Sequence, residues 1–540
     1  MRVGIDLGTT FSCIAYVDAR GQPRVIPSET GADTTPSVIA FDGRRACVGQ
    51  SAVMMKSSAP TLVREFIKRD MGKPVEASDL DPLLAEASDG LPAETAPHEF
   101  GGFKYGAAGM SAIILRKLKR DALRFFVREG LVPADLKESD FELEAVITVP
   151  VYFHERERRE TRLAGYAAGL KVIGIINEPT AAALMYGLLV PERQRVMVFD
   201  LGGGTFDVTV LQIEGENATV LTSDGANTLG GKDWDYVIDQ YLRDLFARTT
   251  GTDYPENERM AFQMRSHAIA AKLALTDAES TTVNVEANGK RITPTLFRSA
   301  PADAMFEDAM FDDDPAPFYF EWAATDLVLR ARQICEQMIR SVMLPTPGGG
   351  ERPMTWRDID EIVLTGGSSR MPMIPEMLRK LTGKSVRRAT DGFSFDTAVA
   401  LGAALYSNKH QRVHDVLSHS IGVEIERNGR RYVDPLILKD TPLPSSGTRQ
   451  YTGRKGAVLR LFEGESSAPD ECRDLGSVEL DTDNSNVDVH FNADVDGVLS
   501  ITAYYPPNRQ KTLRLQHDLF DHGNRAQLLR DRVQSITVEP

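Results

Sequence analysis

The chain is poor in cysteine. Cys13, Cys47, Cys335 and Cys472 are scattered over 540 residues and form no C-x-x-C pair. That excludes a disulfide framework and a zinc-ligand pattern, and reads as reduced, mostly buried thiols of a cytoplasmic protein. No apolar run is long enough to span a bilayer, so no membrane partner is expected. The first strand begins at once, which leaves no room for a signal peptide. Basic charge is also short. Lys and Arg number 62 against 77 Asp and Glu, for a net charge of -15 and a pI of about 5.2. Nucleic acid is thereby excluded as the main partner, because phosphate backbones are bound by basic surfaces. Apolar and charged fractions of 42% and 26% are those of an ordinary globular chain, long enough for more than one domain.

What is present is a duplication. Asp6-Leu7-Gly8-Thr9-Thr10 follows the apolar run Val3 to Ile5, and Asp200-Leu201-Gly202-Gly203-Gly204-Thr205-Phe206-Asp207 follows Val196 to Phe199. Alternating apolar residues come next, Ile14 and Tyr16 in the first and Val208 and Val210 in the second. Each string therefore reads as a β-hairpin with a tight turn of Gly and Thr. Such a turn exposes backbone N–H groups and hydroxyls without side-chain bulk, so it can wrap a phosphate. The Asp closing each incoming strand then lies beside that phosphate. Two carboxylates repel a bare polyanion, so a bridging Mg²⁺ held through water is implied. The pattern predicts a nucleotide clamped between two related halves. An acidic chain can hold ATP, whose site needs only a few local charges and a metal.

Residues 1 to about 180 read as strands, then helices, then a strand ending at Val149-Pro150, with Lys73 to Gly106 as a surface excursion. The charged run His154 to Arg162 reads as preceding a helical stretch, Leu163 to Leu170. Pro179 stands just inside a helix start, where its missing N–H is not needed. One long charged helical region is expected from Trp234 to about Leu275, an irregular loop over 298–317, and a helix from about Trp322 to Met343. A buried strand, Glu361 to Leu364, leads into Thr365-Gly366-Gly367-Ser368-Ser369-Arg370, and a helix spans Thr397 to Tyr406. Beyond about His410 the segments become short and alternating, with turn signals such as Asn428-Gly429 and Asp496-Gly497 between them. That texture predicts an all-β domain, a sandwich. Asp518 to Pro540 predicts one short helix and little more.

Paired halves of this kind resemble the actin-like ATPase superfamily, which also holds sugar kinases and actins. Gly4 to Thr10, Asn177 to Ala183, Phe199 to Asp207 and Leu364 to Pro372 together resemble the seventy-kilodalton heat-shock chaperones (DnaK-like) more closely, and over nearly all of the chain. Met71-Gly72 after Lys68-Arg69, and Ser420 to Glu424, look most like the HscC branch. The resemblance implies an α/β actin-like (ribonuclease-H-like) two-lobed ATPase domain over 1–410. Its lobe I covers about 1–185 and lobe II about 186–385, with a returning helix to 410. A linker, 411–416, leads to an all-β sandwich peptide-binding domain, 417–517, and a short tail, 518–540. ATP or ADP and Mg²⁺ are the implied cofactors. Unfolded or extended peptides, a J-domain co-chaperone and a nucleotide exchange factor are the implied partners.

The same resemblance assigns roles. Asp6 and Asp200 match metal-shell carboxylates, with Asp207 a further aspartate near the metal; singly, each would also fit an ordinary strand-end turn. Gly8, Thr9, Thr10, Gly202, Gly203, Gly204 and Thr205 match the cradle of the β- and γ-phosphates. Lys68 matches the lysine that reaches the γ-phosphate and its attacking water, although its local sequence also fits a solvated helix lysine. Glu178 matches a glutamate that orients that water; complementing a helix dipole is its other reading. Lys68, Glu178, Thr205 and Asp200 thus form the expected catalytic set. Gly230, Gly231, Gly366, Gly367, Ser368 and Arg370 match base and phosphate loops, with the guanidinium able to stack on adenine. Asp396 matches a position near the base, and Lys272 and Thr276 match ribose and base contacts. Pro150 and Arg158 match a relay pair between the domains, or else a strand-ending Pro and a surface Arg; Asp415 closes the linker.

Several positions depart from the family pattern. Ile269 stands where a ribose-bonding Glu is usual, which predicts a weaker hold on adenosine, and Lys232 replaces an acidic residue. In the linker Gln411, Arg412, Val413 and His414, only Val413 is apolar. A leucine-type linker dock would lose most of its buried area, at about 25 cal/mol per Å², so weak coupling is expected. Only twenty-five residues follow Leu515, so the family's helical lid is expected to be absent or cut off, with fast peptide exchange. Ala457 and Leu459 would line the peptide pocket. Glu426 and Arg454 would bridge over it, or stand as two solvated loop charges. The reading is an ATP-dependent chaperone that binds extended apolar peptides under control of Mg-assisted hydrolysis. A nucleotide-holding regulator with little turnover, a small-molecule kinase and, more distantly, a filament-forming actin relative are the rivals.

Overall fold

The computed structural model describes residues 1–42, 45–73, 98–100, 103–187, 193–214, 217–301, 317–346, 348–386, 396–408, 412–452, 458–480, 486–505, 509–513 and 523–539. In lobe I the strand Arg2–Asp6 runs parallel to Glu144–Val149 and antiparallel to Phe11–Val17, so Asp6 faces Cys13 across a hairpin. In lobe II the strand Gln194–Leu201 runs parallel to Glu361–Thr365 and antiparallel to Phe206–Glu214, so Asp200 faces Asp207. The repeated string is therefore a repeated topology. Strands sandwiched this way are covered on both faces, which is why Val196 to Phe199 is an unbroken apolar run with no exposure.

The lobes meet over two alanine-rich helices, Glu178–Gly187 and Ala398–Ser407. Small side chains let the backbones approach closely. A Cβ on Gly402 would lie 1.7 Å from the Ala181 carbonyl oxygen, and one on Gly4 would lie 2.0 Å from the Ala404 nitrogen. One apolar cluster joins both sheets through these helices: Val146 and Ile176 from lobe I, Val196 and Val198 from lobe II, and Ala181, Ala183 and Ala403 between them.

Some sequence expectations need correction. The single helical region expected after Trp234 is two helices, Gly231–Thr250 and Glu258–Asp277. Gly251 ends the first in the left-handed conformation, and the Asn257 side chain caps the second by accepting from the Met260 N–H at 3.1 Å. The helix expected over 322–343 is broken after Phe320–Ala323 and resumes as Thr325–Ser341. The charged run from His154 does not precede a helix but forms most of one, Glu155–Ala167. Glu155, Glu157 and Arg158 on it are buried where the β-domain packs, and Glu160 is buried against the Gly72 N–H of lobe I. Of the two expected loops, 74–97 and 302–316 lie outside the described residues.

The β-domain is two four-stranded sheets. One runs in the order Arg430–Ile437, Ile421–Arg427, Val458–Glu463, Arg473–Glu479. The other runs Ser445–Thr452, Asn486–Ala493, Leu499–Tyr505, Arg509–Leu513. Every pairing is antiparallel, and Ile421, Val423, Leu461, Val487, Val489 and Ile501 fill the space between the sheets. The linker strand Arg412–His414 adds in parallel to the edge Asn217–Thr219 of the lobe II sheet. It docks by backbone pairing, which needs no leucines. After the sandwich come a helix, Gly523–Ser535, and a strand, Thr537–Glu539, one element more than expected.

The helix crossing gives a direct test. Gly402→Ala is expected to push the two helices apart and destabilise the protein by about 1–3 kcal/mol. Gly348→Ala, where a Cβ would meet nothing within 4 Å, is expected to stay within about 0.5 kcal/mol of wild type. Thermal unfolding of both variants reads this, and equal melting temperatures would overturn the account.

Candidate nucleotide site in the cleft

The mouths of the two hairpins face each other across the cleft and bring acidic side chains into a largely buried space. Asp6, Asp200, Asp207 and Glu178 are all at most partly exposed there, against a single buried ammonium, Lys68. Lys68 Nζ donates to Glu178 Oε1 and lies 5.8 Å from the centre of the Phe153 ring. Asp6 Oδ1 accepts from Thr148 Oγ1 at 3.3 Å, and Asp207 Oδ1 accepts from the Tyr152 N–H at 3.3 Å. Asp207 Oδ2 and Thr10 Oγ1 are buried with no hydrogen-bond partner.

Burial and mutual repulsion dominate the electrostatics. Burial, followed by the Glu178 carboxylate, pushes the Asp6 carboxyl up to about 7, with Lys68 pulling the other way. The same two causes push Asp207 up to about 8. Asp200 is raised well above the usual carboxylate range by burial, then by Glu178, Asp207 and Asp6. Four carboxylates against one ammonium, with an orphaned carboxylate oxygen among them, fit a divalent cation with bound phosphate. Among the described residues no group of three or more His, Cys, Asp or Glu side chains forms a direct ligand set. An ion here would be held through water.

The turns are shaped for close backbone approach. A Cβ on Gly8 would lie 2.0 Å from the Phe11 carbonyl oxygen, one on Gly203 1.9 Å from Thr10 Oγ1, and one on Gly204 2.5 Å from Thr9 Cγ2. The glycine turns of one lobe therefore seat on the threonines of the other. Thr205 is buried and its carbonyl oxygen accepts from the Gly202 N–H at 3.0 Å, which closes the second turn. Gly230 lies 2.5 Å, measured from its would-be Cβ, from the Gly204 carbonyl carbon, so Gly204 and Gly230 stack backbone on backbone.

The expected adenosine side gathers on lobe II. Lys272 Nζ donates to the Gly231 carbonyl at 3.0 Å and pairs with Asp235 at 2.7 Å. Thr276 Oγ1 donates to the Lys272 carbonyl at 3.0 Å. Ile269 is partly buried on the same helix. Gly366 has a φ of 77°, and a Cβ there would lie 2.4 Å from the Leu201 carbonyl oxygen. Gly367 and Ser368 follow, and a Cβ on Gly231 would lie 2.3 Å from Ser368 Oγ. Arg370 pairs with Asp396 at 2.7 Å, both side chains partly exposed.

Three residues that sequence reasoning did not single out matter here. Arg69 crosses the cleft, donating from Nε to the Gly204 carbonyl and from Nη2 to Asp233, each at 2.8 Å. Ser369 Oγ donates to the Thr365 carbonyl at 2.6 Å and accepts from the Leu201 N–H at 3.1 Å, tying the third loop to the second hairpin. Asn177 bridges the expected relay residues. Arg158 Nη2 donates to Asn177 Oδ1 at 2.6 Å, and Asn177 Nδ2 donates to Asp415 Oδ2 at 3.0 Å. Arg69 and Asn177 are direct sequence neighbours of Lys68 and Glu178, which was the available signal. Pro150 accepts from the Phe153 N–H at 3.1 Å. That turn carries Tyr152, which holds Asp207, and Phe153, whose carbonyl accepts from Arg158 Nε at 3.1 Å.

The β-domain sits against both lobes. Arg473 donates to both oxygens of Glu157, at 2.7 and 2.8 Å, Arg159 Nη2 donates to the Leu499 carbonyl at 2.9 Å, and Lys439 reaches Asp224 at 3.1 Å. Arg158 Nη2 also donates to Ser418 Oγ at 3.2 Å. Of the expected peptide-site residues, Leu459 is buried in the sandwich core and Glu426 is exposed opposite Arg431. Ala457 and Arg454 lie outside the described residues.

The carboxylate cluster predicts a pH dependence. Its acids are protonated more readily in the folded than in the unfolded chain, so the cluster's own contribution to ligand-free stability is fully present below about pH 4 and is lost as pH rises through about 7 to 8. Asp207→Asn is expected to raise ligand-free stability at pH 8.5 by on the order of 2 kcal/mol, and by less at pH 5.5. It is also expected to shrink the stabilisation gained from Mg-ATP. Melting curves at the two pH values check this; a gap between variant and wild type that does not widen with pH sinks it.

Comparison with known proteins agrees with this geometry. The family model described as Hsp70 protein matches residues 2–519. The chain is similar to the chaperone protein DnaK of Prochlorococcus marinus (strain MIT 9515), 32% identical over 523 residues, which is 93% of this chain and 75% of that protein. It is also similar to the chaperone protein DnaK of Deinococcus radiodurans, 32% identical over 526 residues, 93% of this chain and 76% of that one. With two facing Gly-Thr hairpins, a cleft of carboxylates around one lysine and a β-sandwich behind them, the chain belongs to the Hsp70 family of ATP-dependent chaperones.

Proposed function

We propose that this chaperone hydrolyses ATP in the cleft described above and uses the outcome to control binding of extended apolar peptide segments by its β-domain. The observation that carries the reading is the surplus of buried carboxylates around Lys68 at the mouths of two facing hairpins. Asp6, Asp200 and Asp207 would hold Mg²⁺ through water, and a bound Mg²⁺ would neutralise phosphate charge and polarise the phosphoryl oxygens. Gly8, Thr9, Thr10 and the Gly202 to Thr205 turn receive the phosphates. Glu178 orients the attacking water and holds the Lys68 ammonium in the cleft. Lys68 stabilises charge that develops on the transferred group.

The relay to the β-domain runs through Arg158, Asn177 and Asp415. Asn177 and Glu178 are consecutive, so a shift of Glu178 towards bound phosphate moves the linker's partner. Unfolded or extended peptides are the clients, with a J-domain co-chaperone and an exchange factor as further partners, and the HscC branch is the nearest subgroup. Ile269, in place of a ribose-bonding carboxylate, favours a weaker hold on adenosine and faster exchange.

Single-turnover hydrolysis of Mg-ATP by wild type and Lys68→Ala, with and without an extended apolar peptide, tests this. Slow hydrolysis, lowered ~100-fold or more in the variant and accelerated by peptide, is the expected result. Dependence on Lys68 without a response to peptide would remove the coupling. Equal rates in the two proteins would leave a nucleotide-holding regulator.

A further inference from the structure

The segment after the sandwich is built into lobe I. The strand Thr537–Glu539 pairs in parallel with Arg45–Val48 and becomes the edge of a four-stranded sheet with Ile39–Asp42 and Val63–Arg64. Val533, Ile536 and Val538 are 0, 5 and 2% exposed and belong to the lobe I core, alongside Tyr105, Met110 and Ile113. Leu529 packs against the same core, at a place where Gly109 leaves room: a Cβ there would lie 3.4 Å from Leu529 Cδ1.

The polar groups of the segment are met as fully. Arg116 Nη1 donates to the carbonyls of Val533 and Ile536, at 2.7 and 2.8 Å, which satisfies the helix end and the turn after it. Arg120 Nη1 donates to the Val538 carbonyl, and Glu138 holds Arg116 Nε at 2.8 Å. Gln534 Nε2 donates to the Ala167 carbonyl at 3.0 Å, and Tyr166 Oη donates to Gln527 Oε1 at 2.9 Å. Arg116, Arg120 and Tyr166 sit on the two lobe I helices Ala107–Arg128 and Glu155–Ala167. A chain end that merely lay on the surface would not have its carbonyls read by two arginines and its valines buried in the core.

We infer that lobe I carries a strand-acceptor site, and that its ligand is residues 523–539 of the same chain, which clip the β-domain to the ATPase domain independently of the linker. The β-domain is then held at both ends. Residues 514–522 join the clip to the last sandwich strand, and ten Cα steps reach about 35 Å at full extension. With the clip seated, the β-domain stays within that distance of lobe I in every nucleotide state, even after the Arg412–His414 strand leaves the lobe II sheet. Binding of the segment stands or falls on its own, whether or not the peptide-coupling reading is right.

The test inserts a recognition sequence for a site-specific protease between residues 517 and 518 of the full chain and compares cut with uncut protein. Expected is that the released fragment, residues 518 onward, co-elutes with the remainder on gel filtration and separates only in denaturant. Small-angle scattering with ADP is expected to show a larger maximum dimension for the cut protein than for the uncut. In a cut Val533→Asp, Val538→Asp double variant the fragment is expected to elute alone. Loss of the fragment from the cut wild type would overturn the acceptor site. Retention with unchanged dimensions would overturn the tether.

Discussion

The constraint on which the rest of this molecule depends is the repulsion among carboxylates that the fold brings together in a largely buried cleft. Two hairpins end in aspartates, a third aspartate faces one of them across the turn, and a helix adds Glu178, with Lys68 alone to oppose them. At an effective dielectric near 20, two like charges ~5 Å apart cost about 3 kcal/mol. No apolar packing nearby removes that cost; either protons or a cation with its phosphates must. Arg69, reaching from lobe I to Gly204 and Asp233, ties the two lobes together beside that cluster.

The cleft and the contacts of the β-domain lie next to each other where the chain turns. The strand Lys171–Asn177 passes directly into the helix Glu178–Gly187. Glu178 looks into the cleft at Lys68, and its neighbour Asn177 looks out at Arg158 and Asp415. One peptide unit separates the carboxylate that faces Lys68 from the amide that holds Asp415. The turn from Pro150 to Phe153 makes the same connection a second time, with Tyr152 on Asp207 and Phe153 on Arg158. Both routes are short and hydrogen-bonded and meet at Arg158 on the helix Glu155–Ala167, while the helix that carries Glu178 is held by the contact of Gly402 on Ala181.

The hairpins and the sandwich were legible in the sequence, because their signals are local, whereas Lys68 and Glu178 were reached only through the family resemblance. A Gly-Thr turn after an apolar run states its own geometry, and its repetition states its purpose. Long-range facts were not legible. The run from His154 to Arg162 reads as lying before a helix, and nothing in it shows that the partners of Glu157, Arg159 and Arg162 lie in the sandwich, at Arg473, Leu499 and Asp496. The linker's lack of leucines predicts weak coupling, because composition counts side chains and not the backbone pairing by which Arg412–His414 docks. Thr537–Glu539 is too short to show an alternating pattern, and its partner strand lies near the other end of the chain.

These misreadings share a physical cause. A leucine-rich linker binds through apolar area, about 25 cal/mol per Å², and that quantity can be counted from sequence. Strand addition binds through backbone groups that every residue carries, each hydrogen bond contributing about 0.5–1.5 kcal/mol, so composition says nothing about it. Arg412–His414 and Thr537–Glu539 both dock by strand addition, one to each lobe. A polar linker is tolerable where backbone pairing, rather than leucines, makes the attachment. Val413 and Val416 then need only fill the small apolar gap beside the lobe II sheet, where both are packed.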